Sequence, residues 1–398
     1  VAVGLLFLAS GACCASCLHS AADHGSAVTD GDREVTFGGP RVSAVHFARG
    51  HDRWAIAWVR AGGIEVPPDL EFRCRKELYV DVFDDALNPI WDAPLSVEEG
   101  DCYDIGQLAA HLFPTDRGFA LLLSREISSV ELIHIAATEP TVLSRRTVHH
   151  SSSTGSLDRY AVSDGLFGNR LAAQGELDGS AWFARWESPG PLAILRAGAE
   201  GPAVTAFEVP ISLEVGPGRG IETPVLHGSF GPPVLVAWAE RYVFDEGGQI
   251  RFAFSPDGHS VERTGTVMPF ASRGAVDLRV LREADGFSLF VRAGATIHEQ
   301  RFDVGGVPAD GPSLIFAVPP GGDGGDGTPA SDTGVFNFNA AQLDGCVLLF
   351  TVGNGGQHLY TCRDRALREL EDAYNLSFFC AGGSCVRSRD RRVDFLSP

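Results

Sequence analysis

An apolar run returns six times along the chain at nearly the same phase, and this repetition limits the possible folds more than any other feature. It reads HDRWAIAWV from His51, TDRGFALLL from Thr115, LDGSAWFARW from Leu177, FGPPVLVAWA from Phe230, ADGFSLFVR from Ala284 and LDGCVLLFT from Leu343. Taking Asp52, Asp116, Asp178, Gly231, Asp285 and Asp344 as equivalent points, the spacings are 64, 62, 53, 54 and 59 residues. A unit of this size that repeats cannot cover its own apolar face and must stack on its neighbours.

Each unit reads as four strands. A first strand precedes the turn: 42–48, 106–113, 169–176, 222–229, 276–283 and 336–342. The apolar run is the second. A third follows at 77–84, 129–137, 191–198, 249–257, 295–303 and 357–364, and a more variable fourth closes the unit, as in TVLSRRTVH from Thr141 and AVTAFEVP from Ala203. Four strands per repeat, one of them apolar on both faces, predict an all-β fold and a six-bladed β-propeller, with seven blades as the alternative. Tandem sandwiches would also give short strands, but not one apolar strand at a near-fixed phase. The run EVTFGG (34–39) and the segment RVDFLSP from Arg392 are both candidates to close the ring, and 365–376 reads as a short helix or irregular strand.

Composition removes other classes. The 398 residues are 44% apolar and 21% charged with 47 Gly and 23 Pro, which excludes a wholly disordered chain, a coiled coil and a polytopic membrane protein. With 51 acidic against 32 basic residues the formal charge is −19, a field that repels phosphate backbones, so no nucleic-acid partner is expected.

The N-terminus points to export. Residues 1–17 read as a signal segment: the apolar run VAVGLLFLA is the length of a signal core and too short to span a membrane, and small residues follow it. Cys13, Cys14 and Cys17 directly after small residues resemble the lipobox of bacterial lipoproteins, although Leu8 lies five positions before Cys13 rather than three. Lipidation at one of these cysteines and ordinary cleavage are the two readings. Residues 18–33 read as a flexible tether, 34–398 as a single propeller domain, and the Gly/Asp-rich stretch 319–334 as a disordered loop. The mature chain is expected to be periplasmic or at the cell surface, with a lipid anchor in the first reading and no transmembrane helix.

Six further cysteines permit 15 pairings. They fall in two groups, and their positions favour Cys74 with Cys102, Cys346 with Cys362, and Cys380 with Cys385, as structural bridges of an oxidising compartment. No CxxC or CxxH spacing accompanies them, so zinc is not expected.

One turn carries a resemblance. FAFSPDGHS places Ser255, Asp257 and Gly258 in an arrangement similar to the Asp-box turn of sialidase-like propellers and to the Ser-Pro-Asp-Gly turns of periplasmic propellers. Gly258 stands one position early for an Asp box, and no Trp follows. The resemblance implies a structural turn in a propeller, because Ser and Asp side chains satisfy nearby backbone N–H groups. It implies no activity: the arginine triad, Tyr and Glu pair and acid/base of a sialidase have no counterpart at recognisable spacing.

Nucleophile-elbow, HExxH, P-loop and calcium-loop signatures are absent, and no cofactor, metal or catalytic residue is assigned. Polar residues nevertheless recur in the middle of the first strands: His46, His111, Gln174, His227, Arg279 and Asn339. The first strand of a propeller blade is innermost, so these six would line the channel and hold water, an anion or a small ligand. Alternatively each bonds a neighbouring backbone group. Trp54/Trp58 and Trp182/Trp186, four apart, each share a strand face and would stack on sugars or pack between blades. His149 and His150 would point to opposite faces. The function expected is an exported, non-catalytic binding or scaffolding propeller with an unknown protein or glycan partner at one rim. The alternative is a carbohydrate-active hydrolase or lyase working at the channel mouth.

Overall fold

The computed structural model describes residues 34–36, 42–50, 52–63, 74–84, 88–101, 109–125, 129–150, 158–160, 162–163, 170–171, 173–187, 191–211, 225–241, 247–270, 276–318, 335–342, 346–352, 357–362, 365–370, 377–381, 384–389 and 392–396. Among these, all regular structure is β-strand, arranged in seven sheets. The 1–33 segment with Cys13, Cys14 and Cys17, and the 319–334 loop, lie outside the described residues. The chain divides into two compact units, 37–271 and 1–36 with 272–398.

The first strand, β1 (Glu34–Thr36), belongs to the unit that also contains the C-terminal part. The 37–271 unit holds four sheets. The first runs β2 (Val42–Gly50), β3 (Arg53–Gly63), β4 (Cys74–Asp84), β5 (Leu95–Asp101). The second runs β6 (Ala109–Thr115), β7 (Gly118–Arg125), β8 (Ser129–Ala136), β9 (Val142–His150), and is extended beyond β6. The intervening short strands are β10 (Asp158–Tyr160), β11 (Val162–Ser163), β12 (Arg170–Leu171) and β13 (Ala173–Gly175); β12 and β11 make that extension. In the third sheet β14 (Ala181–Glu187), β15 (Leu192–Ala197) and β16 (Val204–Val209) follow one another, and β14 pairs with both β10 and β13. The fourth is β17 (Val225–Ser229), β18 (Val234–Arg241), β19 (Gly248–Ser255), β20 (Arg263–Phe270). First strands of consecutive sheets lie against each other in this unit: β2 on β6, β6 on β13, and β13 on β17.

The other unit holds three sheets: β21 (Val276–Glu283), β22 (Gly286–Ala293), β23 (Thr296–Asp303), β24 (Ser313–Ala317); β25 (Val335–Gln342), β26 (Cys346–Val352), β27 (Gln357–Thr361), β28 (Ala366–Leu370); and β29 (Ser377–Ala381), β30 (Ser384–Arg389), β31 (Arg392–Leu396) with β1. Here β21 lies on β25 and β25 on β29. The two candidate closing strands thus pair with each other, Glu34 opposite Asp394, in one four-stranded sheet with β30 and β29. The 365–376 stretch supplies the strand β28 rather than a helix; residues 371–376 lie outside the described residues.

The repeated apolar run has a direct cause. On β7, Phe119, Leu121 and Leu123 pack with Ala55, Ala57, Leu78, Val80 and Val82 of the preceding sheet. The alternate residues Ala120 and Leu122 pack with Ala181, Phe183, Leu195 and Ala197 of the following one. The next cluster joins Trp182, Ile194 and Leu192 to Leu226, Val234, Val236 and Trp238. Strands covered on both faces cannot alternate, and so read as continuous apolar segments. The same applies to β22, where all eight residues are buried.

Polar clamps finish these contacts. Arg145 and Arg146 are neighbours on β9 and reach in opposite directions. The Arg145 guanidinium donates to Glu98 at 2.7 Å and to Val97 O at 2.9 Å on β5, and also to Glu131. That of Arg146 donates to the carbonyls of Gly198 and Gly201 beyond β15. Two tryptophans are tied alike: Trp182 Nε1 donates to Glu176 at 2.8 Å and its cross-strand partner Arg196 binds the same carboxylate at 2.9 Å. Trp238 Nε1 donates to Glu240 at 2.9 Å, and its partner Arg251 approaches at 3.4 Å. Loops between third and fourth strands also repeat. Asp84 Oδ1 accepts from Asn88 N–H, and Asp303 Oδ1 from Val307 N–H, both at 2.8 Å, with bridges Phe83↔Pro89 and Phe302↔Pro308 beside them.

The cysteine positions follow the ladders. Cys380 lies directly opposite Cys385 in the β29/β30 hairpin. Val347 pairs with Thr361, which sets Cys346 across from Cys362, and Cys362 is disulfide-bonded. Cys74 opens β4 beside Arg75, which pairs with Asp101; Cys102 lies outside the described residues. Peptide mapping under non-reducing conditions is expected to recover Cys74–Cys102, Cys346–Cys362 and Cys380–Cys385. A methyl group at Gly175 would overlap the Phe113 ring of the preceding sheet. Gly175→Ala is therefore expected to cost roughly 1–3 kcal/mol, read as a lowered urea midpoint at unchanged slope.

Candidate functional site

The six polar positions of the first strands behave differently from one another. His46 sits half-buried on β2, just after the pairing irregularity at Ala44/His46, and His111 half-buried on β6. Their rings meet at 5.4 Å between centroids and 68° between planes. The His111 ring also lies 6.0 Å from the Phe113 ring at 31°. The structure therefore brings these two imidazoles together from consecutive sheets.

Gln174 acts as the alternative reading described. Its Oε1 accepts the backbone N–H of Phe230 at 2.9 Å, tying the third sheet of its unit to the fourth. His227 is half-buried on β17, where its backbone pairs with Ala237. In the other unit Arg279 is 5% exposed; its Nη1 donates to Leu278 O at 2.7 Å and lies 3.7 Å from Asp277. Asp277 also takes Arg292 at 2.7 Å, and the Arg279 guanidinium stands 5.6 Å over Phe338. Asn339 pairs through its backbone with Leu349, and its side chain lies outside the described residues.

The tryptophans belong to the packing. Trp54, Trp58, Trp91, Trp182 and Trp238 are all buried, with Trp58 stacked on Tyr79 at 4.7 Å and Arg49 5.0 Å over Trp54. Trp91, Trp182 and Trp238 sit in the clusters between sheets, and rings buried as all five are offer sugars no platform. The Trp186 side chain lies outside the described residues. His149 is half-buried, with Arg185 Nη1 3.3 Å from its Nε2, and His150 is exposed, as alternation on one strand requires.

The Ser-Pro-Asp-Gly turn is structural. Asp257 Oδ1 accepts from the backbone N–H of His259 at 2.8 Å and of Ser260 at 3.0 Å, and from Ser255 Oγ at 3.2 Å. The two N–H donors hold its carboxyl at about 2. Gly258 takes φ 71° and packs toward Trp182 and Pro232.

Two carboxyl environments were not legible from spacing. Burial pushes Glu176 up, but the bonds from Ser180, Trp182 and Arg196 outweigh it and hold the group below its ordinary range. Asp81 on β4 goes the other way: burial raises it to about 6 against the weaker pull of the Val82 N–H at 3.1 Å. It faces the Trp-bearing side of its sheet, with Ile56 directly across the ladder. In the other unit the Tyr360 hydroxyl donates to the buried Glu299 at 2.8 Å, and burial together with that carboxylate pushes the phenol well up. Among the described residues no group of three or more His, Cys, Asp or Glu is placed to hold a metal ion, and no helix is long and apolar enough to cross a membrane.

No family model matches the chain, and no curated protein matches it in sequence. Among solved structures it is similar to the Dos1 propeller at 9% identity and a TM-score of 0.47, covering 91% of this chain and 94% of that one. It is also similar to a prolyl endopeptidase at 12% identity and a TM-score of 0.44, covering 96% of this chain and 49% of that one. A third likeness is to an alpha-L-arabinofuranosidase from Clostridium thermocellum, at 10% identity and a TM-score of 0.37, with 69% and 94% covered. The chain thus spans about half the length of the prolyl endopeptidase it matches. These likenesses assign no specific family.

The raised Asp81 carboxyl has a testable consequence. The folded state prefers the neutral acid, so the stability this preference supplies is full below the unfolded value and is lost as pH rises through about 6. Asp81→Asn keeps the shape and removes the charge. Its melting temperature is expected to gain on the parent between about pH 4 and about pH 6, and the gain to level off above about pH 7.

Proposed function

We propose that the chain is an exported, non-catalytic binding or scaffolding β-propeller acting at the cell surface or in the periplasm. The observation that carries this reading is the use made of the first-strand polar groups. Gln174 is spent on the Phe230 backbone, and Arg279 on Leu278 and Asp277, so these side chains hold strands in place instead of facing a substrate. Binding then falls to loops at one rim, with a protein or glycan as partner. The seven sheets are read as seven blades, the alternative to six. Succession of first strands within each unit supports the blade reading, and the four-stranded sheet of β1, β31, β30 and β29 supports the count. Cys13, Cys14 or Cys17 would carry a lipid anchor, and the cross-strand cysteine pairs suit an oxidising compartment.

A carbohydrate-active hydrolase or lyase is the second reading. Asp81 favours it, since a half-buried carboxyl raised to about 6 is suited to general-acid work. One experiment separates the two. The chain is incubated with a panel of immobilised polysaccharides and peptides, scoring both retention and released products. Retention without product is expected. Product release abolished in Asp81→Asn would overturn the binding reading in favour of the enzyme.

A further inference from the structure

We propose that the outer edge of β28 is a self-association surface, where the chain pairs with a second copy of itself in an antiparallel two-fold ladder centred on Leu367. Such an edge goes beyond the rim binding read above and does not depend on it. The outer strand of a sheet accepts another strand wherever its ladder is straight, and proteins block this with bulges, very short strands or charges. Most outer strands of this chain are blocked in the first way: the pairings β4/β5, β8/β9, β15/β16, β19/β20 and β23/β24 each contain a register shift. At one end of the terminal sheet, β1 is only three residues long. The pairing of β28 with β27 is different, being regular over all five residues from Thr361↔Ala366 to Gln357↔Leu370.

Exposure and charge select the occupant. Leu367 is 39% exposed on β28, and Arg365, in the turn just before the strand, is exposed as well. Leu143, Val204 and Leu314 are exposed on β9, β16 and β24 too, but those ladders are shifted. Opposed residues of an antiparallel ladder share a face, so a two-fold ladder must set one residue opposite its own copy. With Leu367 at that point, position 365 of each chain stands opposite position 369 of the other. Arg365 is thereby matched with Glu369 on both sides of the Leu367 pair, and unlike charges opposite each other are favourable. Centring on Arg368 or on Glu369 would instead set like charges together. The charges that shield this edge from foreign strands therefore admit a second copy in a matched register. The shared ladder is short, running over Ala366 to Arg368 of each chain, so the association is weak and shows only at high concentration.

The test is sedimentation velocity of the full chain from about 1 μM to about 1 mM, the affinity range of small interfaces, at about 0.15 M salt to screen net repulsion. Conversion from one chain to two is expected as concentration rises. Arg365→Glu leaves two acidic positions and Glu369→Arg two basic ones, so each variant alone is expected to associate at least about tenfold more weakly than the parent. Mixing the two variants opposes acid to base at both places and is expected to restore the dimer, as is the double variant R365E/E369R. A parent chain that stays single throughout would overturn the proposal, and so would variants that dimerise as the parent does, or a mixture no tighter than its components. Should a variant fail to fold, hydrogen exchange on the parent decides: the amides of 366–370 should slow at high concentration, and slowing confined to other segments overturns the pairing.

Discussion

Covering both faces of each sheet is the constraint on which the rest of this structure depends. A single four-stranded sheet with Phe119, Leu121 and Leu123 on one side and Ala120 and Leu122 on the other cannot be stable in water, whatever its hydrogen bonding. One side is covered by the preceding sheet and the other by the following one. Burial of a large side chain is worth about 1.5–3 kcal/mol, and consecutive interfaces are built almost wholly from such residues. The polar clamps are secondary in energy but not in specificity. Glu240 is 1% exposed, so Trp238 Nε1 and Arg251 must meet it at one spacing, and this fixes the register of β18 against β19.

This constraint explains why the repeat could be read from sequence. Apolar segments without alternation mark strands covered on both faces, and the Asp-bearing turns before them set a common phase. The positions of first, second and third strands follow within a few residues. The terminal sheet was harder: β29, β30 and β31 are short, carry Arg at several positions and lack the long apolar run that identified the other units. Strand β28 was obscured by ALREL, whose charges suit the exposed face of a helix as well as an edge strand. The paired Asp loops had a signal that could have been found, since Phe83-Asp84 and Phe302-Asp303 are each followed by Pro within six residues.

At the candidate site, residue type was legible and partnership was not. The sequence marks His46, His111, Gln174 and Arg279 as polar intrusions in apolar strands. Whether such a residue faces a neighbouring ring or a backbone amide depends on one-residue register differences, which flip a side chain from face to face. The irregularity beside His46 is such a case. Asp81 is invisible for another reason. Its ionisation responds to how deeply the Trp-bearing face is covered, a property of tertiary packing that no spacing encodes.

The pairing of β1 with β31 bears on how the chain can be made. Glu34 finds Asp394, 360 positions further along the chain (394 − 34). The sheets at 42–101 and 109–150 each consist of hairpins between neighbours in sequence and can form as the chain emerges. The sheet that joins β1 to β31 cannot, so β1 finds its partner only after the strands between them have been made. Closing that pair spans the longest sequence separation of any described strand pairing, so it carries the largest loop-closure cost and forms late.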